Sequence, residues 1–412
     1  MSARPISIVL TKSEEIRLAY VARFAPGAHS DSDPKARTTD QLQRIGHVQI
    51  DTISVVERAH HHVLWGGDRD YKPGYLALLE GQERQAFEYW SHAASYLPIS
   101  DYRFCLPRMK RIAESGHEWF PSDPRIVETV LQRIREEGPL RSKDFINNSG
   151  PRGTWWDWKP AKAALEYLFM SGTLLVSSRP GFQKLYDLSE RVLPADTDRS
   201  FPNDEEMADW YVVRAAQALG VFTEADIAYQ RKDCLDGIKD ALARATERGS
   251  LVLTKAEKDG NRPLWVSAVA LGSGIDQSFE DPRPVRILSP FDNYIIDRKR
   301  SSRVLGFDYT IECYVPQAKR KFGYFALPIL CSGVPIGLID CVADRKSKTL
   351  IVKRAEFWFT PKGSGPATSF VMKELQNAER KGMTPEGTSD AFNDELLAFM
   401  EFNGCNSIKV AG

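Results

Sequence analysis

Residues 124–145, PRIVETVLQRIREEGPLRSKDF, decide how the chain reads. Ile126, Val127, Val130, Leu131 and Ile134 recur at spacings of three and four, which makes one stripe of a helix apolar. Ser122 or Asp123 supplies the N-cap and Gly138-Pro139 the stop. A short helical piece follows at 142–146, and Ala161, Ala164, Leu165, Leu168 and Phe169 trace another stripe that ends at Gly172. Two β-prone runs, 173–178 and 183–188, flank Arg179-Pro180-Gly181-Phe182, a turn by its Pro-Gly. Helix, short helix, helix, hairpin is the order of a winged helix-turn-helix.

The order recurs some eighty residues on. Residues 204–219 read as a helix, 223–229 as a short one capped by Thr223, and 232–248 as a third with Leu235, Ile238, Leu242 and Ala245 on one face, closed by Gly249. Runs 251–254 and 264–269 then make a hairpin across Asp259-Gly260-Asn261, so a tandem repeat is expected. The first 118 residues fit less cleanly, with helices at 12–24 and 39–45, and are expected to form a degenerate winged helix. Beyond Pro284 strands are predicted at 307–315, 324–330, 336–342 and 349–359, and helices at 365–381 and 389–402. The expected fold class is mainly α with small β hairpins, an α+β chain of tandem winged helix-turn-helix domains (1–118, 119–196 and 197–283) followed by a C-terminal α+β domain at 284–412.

Length agrees with several domains, since 412 residues exceed what one core organises. At 42% hydrophobic and 27% charged the chain is globular, and no apolar run approaches the ~18 residues of a membrane span. Met1-Ser2-Ala3-Arg4-Pro5 has no apolar signal core, so a cytoplasmic protein without membrane partners is expected. Six scattered cysteines without a C-x-x-C pair give neither a zinc finger nor a disulfide frame. Lys plus Arg and Asp plus Glu both total 55, which on its own argues against a general polyanion binder. From Arg283 to Arg354, however, 14 basic residues face 6 acidic ones, a local net charge of +8 that makes a basic face available. All seven histidines precede residue 118, which points to that part for titratable chemistry.

In VQIDTISV, residues 48–55, Val48, Ile50 and Ile53 are apolar while Gln49, Asp51 and Ser54 are polar, so an extended segment is predicted. On such a segment the amide of Gln49 and the carboxylate of Asp51 project side by side and can hold a water. The carboxylate can accept its proton or face a developing cation, and the amide can orient it by donating and accepting at once. The same alternation also describes the solvated side of an ordinary half-buried strand, and spacing alone does not separate the two.

Wider context does. VQIDTISVVERAHHHVLW (48–65), EYWSHAAS (88–95), WWDWKPAK (155–162) and LSPFDN (288–293) resemble, in order and spacing, the YcaQ-like (AlkX/AlkZ) branch of winged-helix DNA glycosylases. Members of that branch excise alkylated purines and unhook interstrand crosslinks. The resemblance implies three tandem winged helices around a DNA-sized channel, with Gln49 and Asp51 as this chain's Q-x-D form of the catalytic motif, and Glu88 and His92 lining the active site. The implied partner is double-stranded DNA carrying alkylated or crosslinked purines, bound by a monomer that already holds its own reading modules. One carboxylate suffices chemically, because an N7-alkylated guanine is cationic and leaves without protonation, through an oxocarbenium-like state. No cofactor is required, and neither G-x-G-x-x-G nor a P-loop occurs.

His60, His61 and His62 invite a metal, but consecutive helical residues point ~100° apart and no Cys or fourth ligand stands at motif spacing. A hydrogen-bonding or phosphate-contacting role, or plain packing, suits His60 and His62 better. For DNA contact the candidates are Arg58, Trp156, Lys159, Arg298, Lys299, Arg300, Lys319, Arg320 and Lys321, although core packing is the default reading of Trp155, Trp156 and Trp158. The main rival is a non-catalytic winged-helix regulator; a metal-dependent hydrolase built on the histidine run is a weaker one.

Overall fold

The computed structural model describes residues 8–25, 33–115, 123–145, 158–229, 237–257, 262–274, 283–358 and 385–411. By packing, the chain divides into two compact units, residues 72–207 and residues 1–71 with 208–412, a division that does not follow chain order.

In the unit 72–207 the helix Pro124–Glu137 forms as its pattern predicts: Asp123 accepts the Arg125 amide at its N-cap, Pro124 opens it and Gly138 ends it at φ +87°. Leu140 then bridges Tyr186 antiparallel, Ser142–Phe145 makes a 3-10 turn, and the helix Trp158–Met170 leads into the paired strands Leu174–Ser178 and Leu185–Leu188. Val130, Leu131 and Ile134 meet Ala164, Leu165, Leu168 and Phe169, and the hairpin closes over them with Leu174, Leu175 and Tyr186. Gly172 sits at φ +77°, a left-handed conformation that favours glycine, and a Cβ there would also push on the Met109 side chain. Residues 73–115 carry elements that periodicity does not reveal: the helix Pro73–Glu80, the antiparallel strands Ala86–Trp90 and Ala94–Pro98, and the helix Leu106–Ser115.

In the other unit, the helix Lys12–Phe24 starts with a capping box between Thr11 and Glu14. The next helix is Pro34–Ile45, longer than the expected 39–45 because Asp33 caps it and Pro34 fits its first turn. The helix Asp204–Leu219, short helix Glu224–Ile227 capped by Thr223, helix Ile238–Glu247 and strands Leu251–Ala256 and Pro263–Ser267 follow the order read from the sequence, with the strand Val221–Phe222, which that reading lacked, after the first; residues 232–236 and the 259–261 turn lie outside the described residues. These strands and Val9–Leu10 form one sheet in the order 9–10, 251–256, 263–267, 221–222, with Val9–Leu10 parallel to its neighbour. A second sheet runs Val285–Ile287, Leu327–Cys331, Val334–Asp344, Thr349–Phe357, Ser407–Val410, antiparallel except for its last pair.

The expected strand 307–315 is not one. Phe307 and Tyr309 are buried and Asp308 and Thr310 exposed, but the segment has no ladder partner; it is an extended strap pinned by the Tyr309 hydroxyl donating to Ala326 O at 2.7 Å. Alternating burial reports an extended backbone, not pairing. The expected helix 365–381 lies outside the described residues, and the final helix is Pro385–Phe402. No helix among the described residues is long and apolar enough to cross a membrane.

The helix Ala59–Gly67 is the hub of this unit. Arg23 donates to Val63 O at 2.7 Å and grips Asp292 with two bonds of 3.0 and 2.8 Å. Arg283 donates to Trp65 O at 2.9 Å, lies 4.1 Å above the Trp65 ring, and is held by Glu395 at 2.7 and 2.6 Å. Arg286 donates to Gly66 O at 2.7 Å. Trp65 stacks on Phe402 at 4.8 Å, which fastens the last helix to this one. His62, fully buried, donates Nε2–H to Ile287 O at 2.9 Å, and burial drives its pKa down to about 4 against the smaller upward pull of that carbonyl. His61, bonded to the Tyr71 hydroxyl at 2.7 Å, is also lowered to about 4, by burial and then by the Arg58 charge.

Two outcomes are expected. Glu395→Ala leaves Arg283 charged and buried and lowers stability by about 3–5 kcal/mol in urea melts, whereas cutting the exposed Lys110–Glu114 pair with Lys110→Ala costs under about 1 kcal/mol. Because the folded-state pKa of His62 lies below its unfolded value of 6.5, its contribution is present above pH 6.5 and disappears as pH falls toward 4, about 3 kcal/mol in all. His62→Asn, which keeps a donor for Ile287 O but does not titrate, removes the His62 share of the slope of stability against pH over that window and leaves the share of His61.

Candidate active site

Segment 45–57 links the helix Pro34–Ile45 to the helix Ala59–Gly67. Of the extended run expected at 48–55, only Val48–Gln49 is strand. The departure is local: Asp51 Oδ1 accepts the Ile53 N–H at 2.7 Å, a turn that gives the backbone a partner other than a ladder. Val48 is fully buried, but Gln49, Ile50 and Asp51 are all half-buried, so the clean two-faced pattern does not hold. Gln49 and Asp51 remain within about 7 Å of each other, Cα to Cα, by chain length alone.

What replaces the ladder is a set of ties at both ends. Asn293 Nδ2 donates to Ile45 O at 3.3 Å and His47 O at 3.2 Å. Downstream, the Ala343 N–H donates to Val55 O at 2.9 Å, Arg345 donates to Ser54 O at 2.9 Å and Val56 O at 3.0 Å, and Asn403 Oδ1 accepts the Glu57 N–H at 2.6 Å. The segment is thus suspended between residues more than 240 positions away in sequence. One carboxylate oxygen of Asp51 is fixed by Ile53, and the other makes no hydrogen bond with the described residues, so it is available to a ligand.

Sequence reasoning passed over the neighbours of that carboxylate. Burial and then the Asp51 charge push the Cys313 thiol up, and the Tyr314 hydroxyl is raised by burial, then by Cys313, then by Asp51. The Asp51 charge is thus felt at two adjacent residues, Cys313 and Tyr314. Reading 307–315 as a strand hid this.

His60 and His62 are buried in the helix that follows the segment, His62 against the Ile287 carbonyl. Among the described residues no three His, Cys, Asp or Glu side chains are grouped so as to hold a metal.

Glu88 and His92 are not on a helix: Glu88 is in the strand Ala86–Trp90 and His92 in the turn after it. Glu88 is fully buried and held by Arg179 at 2.6 and 2.8 Å, with Lys184 Nζ at 3.6 Å. Burial, outweighed by Lys184 and Arg179, leaves its pKa below the ordinary value, while burial and the Glu88 charge push nearby Glu80 up to about 8.

The basic candidates separate sharply. Arg300 is buried and donates to Leu219 O and Val221 O at 2.8 and 3.2 Å. Arg298 caps Ile295 O and Pro290 O and lies 4.5 Å above the Tyr309 ring. Arg320 donates to Val315 O and covers Tyr324. Arg300, buried and spent on two carbonyls, does not face phosphate as expected; Arg298 and Arg320 also bind the protein's own carbonyls but are only half-buried. Lys299, Lys319 and Lys321 are exposed, and Arg58 is half-buried at the start of the Ala59–Gly67 helix. Trp156 lies outside the described residues; Lys159 belongs to the helix Trp158–Met170, its side chain outside them.

A family model for AlkZ-like DNA glycosylases matches residues 42–399, a span that includes segment 45–57, Asn293 and Arg345. Among solved structures the Streptomyces sahachiroi DNA glycosylase AlkZ is similar in fold, with a TM-score of 0.56 at 14% identity over 96% of this chain and 98% of that one. At that identity the structural likeness speaks for the α+β fold, and the family match speaks for descent. The chain belongs to the AlkZ-like DNA glycosylase family.

Proposed function

We propose that this glycosylase hydrolyses the N-glycosidic bond of N7-alkylated purines in duplex DNA and unhooks interstrand crosslinks formed through such purines, without a lyase step. The observation that carries the reading is the Asp51 carboxylate, one oxygen fixed by the Ile53 amide and the other turned over to a ligand, in a segment tied at both ends. The base leaves with the bonding electron pair, which neutralises its cation; Asp51 faces the sugar cation; water held by Gln49 adds to C1′ and gives its proton to Asp51. A neutral purine lacks that leaving-group charge, and no second acid is assigned to supply it.

The DNA-reading frame we infer is two winged helices, 119–196 and 197–283, beside a degenerate one at 1–118 that carries the site and an α+β domain at 284–412. It is supported by the repeated order of helix, bridging strand (Leu140; Val221–Phe222), short helix, helix and hairpin. Lys299, Lys319 and Lys321 are the proposed phosphate contacts, with Arg58 beside the site. Family membership weighs against a non-catalytic regulator.

Single-turnover release of N7-methylguanine from a duplex tests the chemistry. Asp51→Asn is expected to slow release about 10²- to 10⁴-fold, with Gln49→Ala also impaired and both variants still binding DNA. Cleavage of undamaged purines at a comparable rate by the wild-type protein sinks the cationic-substrate reading. For the phosphate contacts, Lys319→Ala with Lys321→Ala is expected to weaken binding on all sequences alike and to reduce the slope of log K against log salt by about 2. Arg320→Ala, by contrast, is expected to loosen its loop.

A further inference from the structure

The loop 312–323 is built to be stiff. The Glu312 carboxylate, itself buried, accepts the amides of Lys321, Phe322 and Gly323 at 2.8, 2.8 and 3.0 Å, closing the loop at its base. The Val315 N–H donates to Glu312 O at 2.9 Å, so Cys313 and Tyr314 are the two central residues of a turn. Arg320 braces the inside of the loop through Val315 O at 2.8 Å, and Arg354 donates to Lys321 O at 2.6 Å. Gly323 admits no side chain, because a Cβ would fall 2.0 Å from Asp340 Oδ2. On this scaffold the Tyr314 ring is 79% exposed. The loop leans on Asp340 at Gly323, and three residues further along that strand the Ala343 N–H holds Val55 O of the segment that carries Asp51, whose charge is felt at both central residues of the turn; the same loop carries exposed Lys319 and Lys321.

A large aromatic side chain held out into water on a braced turn contributes nothing to the core. Its face is electron-rich, and a ring in that position next to a carboxylate suits a flat cation. We propose that Tyr314 stacks on the alkylated purine whose glycosidic bond faces Asp51, so that its ring selects the charged base while Lys319 and Lys321 hold the adjoining phosphates. The inference rests on the reading of Asp51 given above and adds the surface that recognises the base. The hydroxyl has no part in the contact; the ring does.

The test uses the full chain and a duplex with a single N7-methylguanine, beside the same duplex undamaged, read by fluorescence anisotropy for binding and by single-turnover release for excision. Tyr314→Ala is expected to lose about 5- to 150-fold in preference for the lesion duplex and a similar factor in excision, the range observed for one lost base–aromatic stack. Tyr314→Phe retains both, and Tyr314→Leu, which keeps apolar area but no π face, restores neither. Melting temperatures of all three variants stay at the wild-type value, since the side chain supports no packing. If Tyr314→Ala binds and excises within twofold of wild type, or Tyr314→Leu restores both, the stacking role is wrong while the glycosylase reading stands. If the wild-type protein binds the lesion selectively through Tyr314 but never releases the base, the stacking role stands and the glycosylase chemistry falls.

Discussion

Three buried guanidiniums converge on the last carbonyls of the helix Ala59–Gly67, and the rest of this unit is arranged to permit it. The C-terminal end of a helix carries unsatisfied acceptors and partial negative charge, so Arg23, Arg283 and Arg286 are placed where cations are favoured. Burying them requires counter-charges: Asp292 serves Arg23 and Glu395 serves Arg283, while Arg286 lies 4.6 Å over the Phe24 ring and donates to the Tyr20 hydroxyl at 3.2 Å. Each counter-charge comes from a different part of the sequence. Segment 45–57 enters this helix directly, so whatever orients the helix orients Asp51.

Gln49 ends a two-residue strand but Asp51 lies in coil, which is ordinarily a poor place to hold a side chain in one position. It works here because side chains and amides of the second half of the chain hold the backbone of 45–57 at both ends, leaving Asp51 Oδ2 uncommitted. Rigid support from elsewhere does what a ladder would have done, without using the second carboxylate oxygen of Asp51. A strand with both neighbours paired would have spent the Ile53 amide on a ladder; here that amide fixes the carboxylate.

Much of this was legible in the sequence. Helices with caps and stops, such as Lys12–Phe24 and Pro124–Glu137, declare themselves through local physics, and so do the hairpins after Gly172 and Gly249. The Gln49 and Asp51 pair stood out by residue type and motif. What failed were inferences that needed a partner. Residues 307–315 alternate in burial but pair with nothing, and beyond Gln49 residues 50–54 are not strand either, the Ile53 amide going to the Asp51 carboxylate. Charge runs misled in the same way: Lys299 and Arg300 are adjacent in sequence, yet one faces solvent and the other is consumed by two carbonyls. The ties from Asn293, Arg345 and Asn403 leave no periodic trace at all.

The parallel pairing of Val9–Leu10 with Leu251–Ala256 has a bearing on how the protein is made. During synthesis the first of these strands waits for some 240 further residues before its partner exists, and residues 72–207 emerge complete in the interval. Asn403 comes later still, so at ~5–20 residues per second the segment bearing Asp51, whose ties to Asn293 and Arg345 can form earlier, lacks its tie at Glu57 until translation has passed it. A chain synthesised only as far as Arg345 therefore carries Asp51 on a segment still open at Glu57.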